Sequence, residues 1–265
     1  MISRCTDITV PAWRVTDPEV AAVLGWWTAN ARPLPWRATR DVYAVWVSEV
    51  MSAQTTVTRS AEAWRRWMQR WPSVESLAAA SLAEVLAQWQ GLGYPRRARD
   101  LHRSARIVVG TGWPNDLQDL PGVGPYIAAA VRCFSGGEPV LPVDVNVKRV
   151  LTRRFPGGID TSADPWRAGQ ALMEFGQRIC TARPRCSECP VRVGCAGPDR
   201  AEGSADATRR PQPFQGSVRQ RRGRLLRRVL AEGAVAVGEG DREIAAGLAR
   251  DGLAVLAGGR LRSPS

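Results

Sequence analysis

The chain runs to 265 residues, 44% of them hydrophobic, which is enough for one large or two modest domains with real cores and excludes a disordered polymer. Against 25 acidic residues stand 37 basic ones, a net charge of +12 that is almost all arginine, since Lys148 is the sole lysine; this balance favours a polyanionic partner. No stretch approaches the roughly 18 apolar residues of a membrane span, and Met1 to Trp13 hold no apolar core of secretory length. The expectation is a cytoplasmic, nucleoid-associated protein with no membrane partner.

Helical periodicity runs from Asp17 to Ile179, broken by Pro and Gly clusters. Asp17 and Pro18 open a helix burying Val20, Val23, Leu24 and Trp27, and Asp41 to Ala53 forms a second with Val42, Val45, Trp46 and Val50 on its apolar face. Ser60 to Trp71, Ser81 to Gln90 and Arg96 to Val109 continue the pattern, punctuated by Pro72 and by Gly91-Leu92-Gly93-Tyr94-Pro95. Pro125 to Phe134, Val145 to Phe155 and Asp164 to Ile179 complete an all-helical body; Ile107 to Val109 is too short for a sheet strand. Residues 198 to 217, rich in Gly, Pro, Ser and charge, form a linker. Beyond it lie a basic helix from Val218 to Ala231, a short helix from Asp241 to Arg250 and a hairpin around Gly258-Gly259, the outline of a small winged-helix-like module at 218 to 265 or of a packing appendage or dimer contact.

Three features carry chemistry. Leu120-Pro121-Gly122-Val123-Gly124 turns tightly before a helix opened by Pro125 and Tyr126, so its amides and the helix N-terminus form a phosphate seat that grips without reading sequence. Asp144, after Pro142, heads the next helix, where backbone amides and the helix dipole favour its charged form. Cys180, Cys186, Cys189 and Cys195 crowd four thiols into one loop, with Cys5 and Cys133 apart as lone thiols. The single inner Cys-x-x-Cys pair with outlying cysteines suits a [4Fe-4S] cluster, and zinc is the rival.

These residues resemble the helix-hairpin-helix DNA glycosylases, and within them the MutY-type adenine DNA glycosylases. Further words carry the likeness: Leu34-Pro35-Trp36-Arg37, Val45-Trp46-Val47-Ser48-Glu49-Val50-Met51, Gln54-Thr55, Gly91-Leu92-Gly93-Tyr94, Arg97-Ala98-Arg99-Asp100-Leu101-His102 and Asn146-Val147-Lys148-Arg149-Val150-Leu151. Together they span about residues 20 to 197. The resemblance implies an all-α glycosylase fold of two helical subdomains: residues 1–35 with 136–197, carrying the cluster loop, and residues 36–135, carrying the hairpin. It implies a monofunctional enzyme of base excision repair that binds double-stranded DNA with a mismatched or damaged pair, acting as a monomer on adenine opposite 8-oxoguanine or guanine.

Site residues follow from the same likeness. Glu49, on a helix among Trp46, Val47, Val50 and Met51, is expected to be held protonated by desolvation and matches the family's general acid. Asp144 matches the charge beneath the sugar, with Tyr126 and Asn146 holding sugar, carboxylate and water. A tyrosine at 126, where lyases of the endonuclease III branch carry lysine, implies no intrinsic strand cleavage, and Lys148 lies one helical turn from Asp144. Gln54 matches the wedge that fills the gap left by a flipped nucleotide, while Trp36, Arg37 and Gln170 match the base pocket. Gly122, Val123 and Gly124 match the phosphate grip.

The chain departs from the family in four places. Ser52-Ala53-Gln54-Thr55 replaces Leu-Gln-Gln-Thr, Asp144-Val145-Asn146 replaces Asp-Gly-Asn, and the first cysteine interval is one residue short. About seventy residues follow Cys195, too few for the family's Nudix-like reader of 8-oxoguanine. A thymine or uracil mismatch glycosylase, and a non-catalytic iron-sulfur DNA-binding protein, therefore stand as alternatives.

Overall fold

The computed structural model describes residues 18–197 and 214–264. The cap expected at Asp17, the segment Met1 to Trp13 with Cys5, and the linker up to residue 213 lie outside the described residues. Among the described residues, nine α-helices precede the cysteine loop: α1 (Pro18–Asn30), α2 (Val42–Ser52), α3 (Val57–Arg70), α4 (Val74–Ala79), α5 (Leu82–Gln88), α6 (Arg96–Thr111), α7 (Pro125–Gly136), α8 (Val145–Arg154) and α9 (Pro165–Arg178). After it come α10 (Val218–Glu232), β1 (Ala234–Ala236), α11 (Arg242–Arg250), β2 (Val255–Ala257) and β3 (Arg260–Arg262). Internal contacts divide the chain into two units, one of Met1–Pro33 with Ala129–Arg209 and one of Leu34–Ala128 with Arg210–Ser265.

In the first unit, Val20, Val23 and Trp27 of α1 pack with Val147 and Val150 of α8 and with Leu172 and Phe175 of α9. Each such side chain, fully buried, contributes roughly 1.5–3 kcal/mol. Two glycines on α9 set its spacing: a Cβ at Gly176 would stand 2.7 Å from the Asn146 carbonyl, and one at Gly169 would stand 2.9 Å from the Phe134 ring. One carboxylate is buried here, Glu174, and it is matched by Arg32 Nε at 2.7 Å, Arg178 Nη1 at 3.3 Å and Trp27 Nε1 at 3.3 Å. Paired in this way, a buried charge is tolerated.

Tryptophans build the second unit. Trp67 meets Trp71 and Trp89 edge-on, at 4.7 and 5.6 Å between ring centroids, and its indole donates to Tyr43 Oη at 3.0 Å. Tyr43 in turn donates to the Trp71 carbonyl, and burial pushes its hydroxyl pKa up. Local caps define the helix starts: Asp41 accepts from the Ala44 amide at 2.7 Å, and Ser81 with Glu84 closes a capping box on α5. Helix α4 was not foreseen, because its box pairs Ser73 with Ser76 where the usual signal has Glu or Gln. Strand β1 was not foreseen either, being three residues long.

The C-terminal elements belong to this second unit. Leu225, Leu226 and Val229 of α10, Ile244 and Leu248 of α11 and Leu261 of β3 are buried around an antiparallel sheet of order β1-β3-β2. Gly258 and Gly259 close the β2–β3 hairpin with φ of 55° and 69°, as a two-residue hairpin turn requires. Asp251, after α11, anchors these elements to α6: its carboxylate takes Arg222 at 2.5 Å and Arg96 at 3.3 Å, and its carbonyl accepts from Arg99.

Candidate active site and nucleic-acid interface

Glu49 sits on α2 with 7% of its surface exposed, and Tyr126, in the first turn of α7, donates its hydroxyl to Glu49 Oε2 at 3.0 Å. The carboxylate expected among apolar neighbours on this helix is thus buried and has a phenolic partner. Trp36 is buried in a 3-10 turn over Pro35–Ala38 with its ring edge-on to Trp64, 6.3 Å between centroids, and Arg37 shares that turn. Gln54 follows the end of α2 with φ of 57°. A left-handed non-glycine residue costs roughly 1–2 kcal/mol, so the turn around it is held by other contacts.

Those contacts come from Arg97, which the sequence placed among the family words without a role. On Arg97, Nη1 donates to the carbonyls of Val50, Met51 and Ala53, and Nη2 donates to Thr55 Oγ1 and to the carbonyls of Leu92 and Gly93. Desolvation lowers its pKa from the usual guanidinium range. Tyr94 is the other residue without an assigned role: its ring is 51% exposed, its φ is 47°, and it lies 5.6 Å from the Arg97 guanidinium. Two left-handed non-glycine residues beside one half-buried arginine is a geometric signal that composition and periodicity do not carry. A cavity of about 50 Å³ lies nearby, lined by Trp46, Arg97, Asp100 and Gly122.

The hairpin is a β-turn with Pro121 then Gly122 in its centre, Gly122 at φ of 78°, and the Val123 amide donating to the Leu120 carbonyl at 3.1 Å. One expectation is corrected here. The Val123 amide closes the turn and is not turned outward for a phosphate, while the Val123 side chain is buried. Gly122 has two reasons to be glycine, its φ and its neighbour, since a Cβ would come within 2.9 Å of Asp100 Cβ. Ser104 Oγ donates to the Pro121 carbonyl at 3.0 Å and ties the turn to α6.

In the other unit Asp144 caps α8: Oδ1 accepts from the amides of Asn146 at 2.9 Å and Val147 at 2.7 Å, and Oδ2 accepts from Asn146 Nδ2 at 2.6 Å. Asn146 Oδ1 takes Arg149 Nη2 at 2.8 Å, and Arg149 Nε donates to the Cys180 carbonyl at 2.6 Å. The extra side chain at Val145 is 69% exposed, so it points into solvent and leaves the carboxylate uncrowded. Lys148 is exposed on α8, and Gln170 is buried on α9.

Cys189 lies within electrostatic reach of Cys180, Cys186 and Cys195, and Cys180 within reach of Cys195, with Cys180 and Cys189 half-buried against the α1/α8/α9 core. Burial pushes both of those thiols up, and Arg153, 3.7 Å from Cys180 Sγ, with Arg149 behind it, pulls Cys180 back down. Among the described residues no three His, Cys, Asp or Glu side chains close around a single ion. The donor set itself, four thiols with guanidinium groups beside them, fits an anionic iron-sulfur group.

A model of the HhH-GPD superfamily of base excision DNA repair proteins matches residues 47–175. The adenine DNA glycosylase of Mycolicibacterium smegmatis is 40% identical over 233 residues, 77% of this chain and 78% of that protein. The chain belongs to the adenine DNA glycosylase family. It is therefore a DNA glycosylase of base excision repair with a mostly helical HhH-GPD fold and a small antiparallel sheet. The Homo sapiens adenine DNA glycosylase is 40% identical over 215 residues, 68% of this chain and 39% of its own length. A thermostable thymine-DNA glycosylase superposes with a TM-score of 0.61 at 27% identity, over 68% of this chain and 95% of that one. A trapped endonuclease III–DNA intermediate, at TM-score 0.57, 22% identity and coverage of 69% and 95%, shares the fold. No helix among the described residues is long and apolar enough to cross a membrane.

Proposed function

We propose that this enzyme releases adenine from double-stranded DNA where it stands opposite 8-oxoguanine or guanine, and leaves an abasic site without cutting the strand. The observation that carries the reading is the buried Glu49 carboxyl held by the Tyr126 hydroxyl at 3.0 Å. The choice of adenine rests on 40% identity to adenine DNA glycosylases against 27% to the thymine-DNA glycosylase.

In this reading Glu49 gives its proton to N7 of the flipped adenine, the bond from C1′ to N9 breaks with its electrons passing to the base, and the sugar becomes cationic. Asp144, ionised, supports that cation from below, with Asn146 fixing its free oxygen. Water adds at C1′ and gives its proton to the Glu49 carboxylate. Trp36, Arg37 and Gln170 line the base pocket and Gln54 fills the gap in the duplex. With the Val123 amide engaged, Gly122, Gly124 and the first turn of α7 take a phosphate, and Lys148 and the arginine-rich surface add general charge attraction for the DNA backbone. The exposed Tyr94 ring offers a base a stacking face.

The four cysteines would hold a [4Fe-4S] cluster, which when bound orders their loop through charge and ligation. The cluster loop belongs with residues 1–35 and 136–197, the hairpin with 36–135, and residues 218–265 form a winged-helix-like basic module that widens the DNA footprint of a monomer working in the nucleoid. The test is a panel of duplexes bearing A, T or U opposite G or 8-oxoguanine, followed with and without alkali. Alkali-dependent cleavage at A supports the reading; release of T or U but never A overturns it.

A further inference from the structure

The Arg97 guanidinium joins two stretches of chain, the end of α2 with the turn after it and the Leu92–Gly93 turn, which Thr55 Oγ1 also links by donating to the Leu92 carbonyl at 3.3 Å. Nη1 reaches three carbonyls at the end of α2, those of Val50 at 2.7 Å, Met51 at 3.3 Å and Ala53 at 2.5 Å. A helix end leaves these acceptors without backbone donors of their own. Nη2 reaches Thr55 Oγ1 at 3.2 Å and the carbonyls of Leu92 at 2.9 Å and Gly93 at 3.2 Å. Gln54, with its left-handed backbone, lies between two of the residues so held, Ala53 and Thr55. Trp89 and Tyr94 stack on the cation at 5.3 and 5.6 Å.

A planar fork with several fixed donors can serve both stretches at once, whereas an ammonium on a flexible stem cannot. The same helix continues to Asp100, against Gly122 of the hairpin, and Ser104, bonded to the Pro121 carbonyl. One helix thus carries the clamp on the Gln54 turn at its first turn and the hairpin further along.

We propose that Arg97 is a positioning residue for base extrusion: by clamping the Ala53–Thr55 turn it presents Gln54 preformed to the gap that the departing nucleotide leaves. The inference rests on the reading of Gln54 as the wedge. Arg97 acts through Gln54 and takes no part in breaking the glycosidic bond.

A double-mutant cycle of Arg97→Lys with Gln54→Ala tests it, read by single-turnover base release and by fluorescence of 2-aminopurine at the target position, which reports unstacking. Arg97→Lys is expected to slow release about a hundredfold and to diminish the fluorescence rise in the parent background. In the Gln54→Ala background its effect should fall within about threefold, since the part it positions is gone. Thr55→Val, which removes one of the six acceptors of Arg97 together with the hydroxyl's own donation to the Ala53 and Leu92 carbonyls, should move both readouts the same way by less, and serves if Arg97→Lys lowers Tm strongly. Equal losses from Arg97→Lys in both backgrounds, or a normal fluorescence rise, would overturn the proposal. A parent protein that releases no adenine would instead sink the functional reading, while the fluorescence arm still judges Arg97.

Discussion

Glu49→Gln keeps the size of the side chain and an acceptor for the Tyr126 hydroxyl while removing the transferable proton. Under single turnover it is expected to lower adenine release by about 10²–10⁴-fold with duplex affinity retained, measured by binding and release on the same duplex. Asp144→Asn makes a cleaner separation of chemistry from folding, because asparagine is as good an N-cap as aspartate. It should keep the Tm within a few degrees and cost about 10²–10³-fold in release. The residue scale is also where the sequence was most and least informative. Asp144 and the four cysteines stood out because each combines a chemical group with a telling neighbourhood of residues, whereas Glu49 was singled out by the family resemblance. Arg97 did not, since its meaning lies in six acceptors that the fold collects from two separate stretches. The Val123 amide was misjudged for the converse reason: whether a turn points an amide outward or spends it on its own closure is set by turn type.

At the scale of elements, most helices were legible because caps and apolar spacing agreed, as at Asp41 with α2 and Asp144 with α8. α4 and β1 escaped because short elements draw their stability from neighbours, α4 from its packing against α6 and β1 from pairing with β3. Ser81→Ala removes the box that opens α5 and should lower stability by about 1 kcal/mol, read from denaturant unfolding. Helix α6 also carries a pH-sensitive tie. His102 is buried with Nε2 2.9 Å from the Ala80 carbonyl, and desolvation lowers its pKa below the usual imidazole range. The folded state therefore binds this proton less readily than the unfolded one, so the contribution is whole above the unfolded pKa and is lost as pH falls through the folded value. His102→Gln should flatten that part of the acid limb in a Tm-against-pH series.

At the scale of the molecule, the chain forms two compact units, with Glu49 and Tyr126 in one and Asp144 and Asn146 in the other. The long-range pairing that assigns Leu34–Ala128 and the C-terminal elements to one unit is invisible in periodicity, because it is made by packing of α10 on α5 and by Asp251 with Arg96 and Arg99, residues far apart in the chain. The purified holoprotein should be brown and contain iron with acid-labile sulfide in equal amounts; a colourless protein with stoichiometric zinc would contradict the cluster.

The central claim is that this enzyme frees adenine by hydrolysis. It is tested most directly by identifying the product released from a duplex with one adenine opposite 8-oxoguanine. The expected products are free adenine, one abasic site per base released and a strand that stays intact until alkali is added. Recovery of thymine or uracil alone from the companion duplexes, or of a cut strand without alkali, would contradict it.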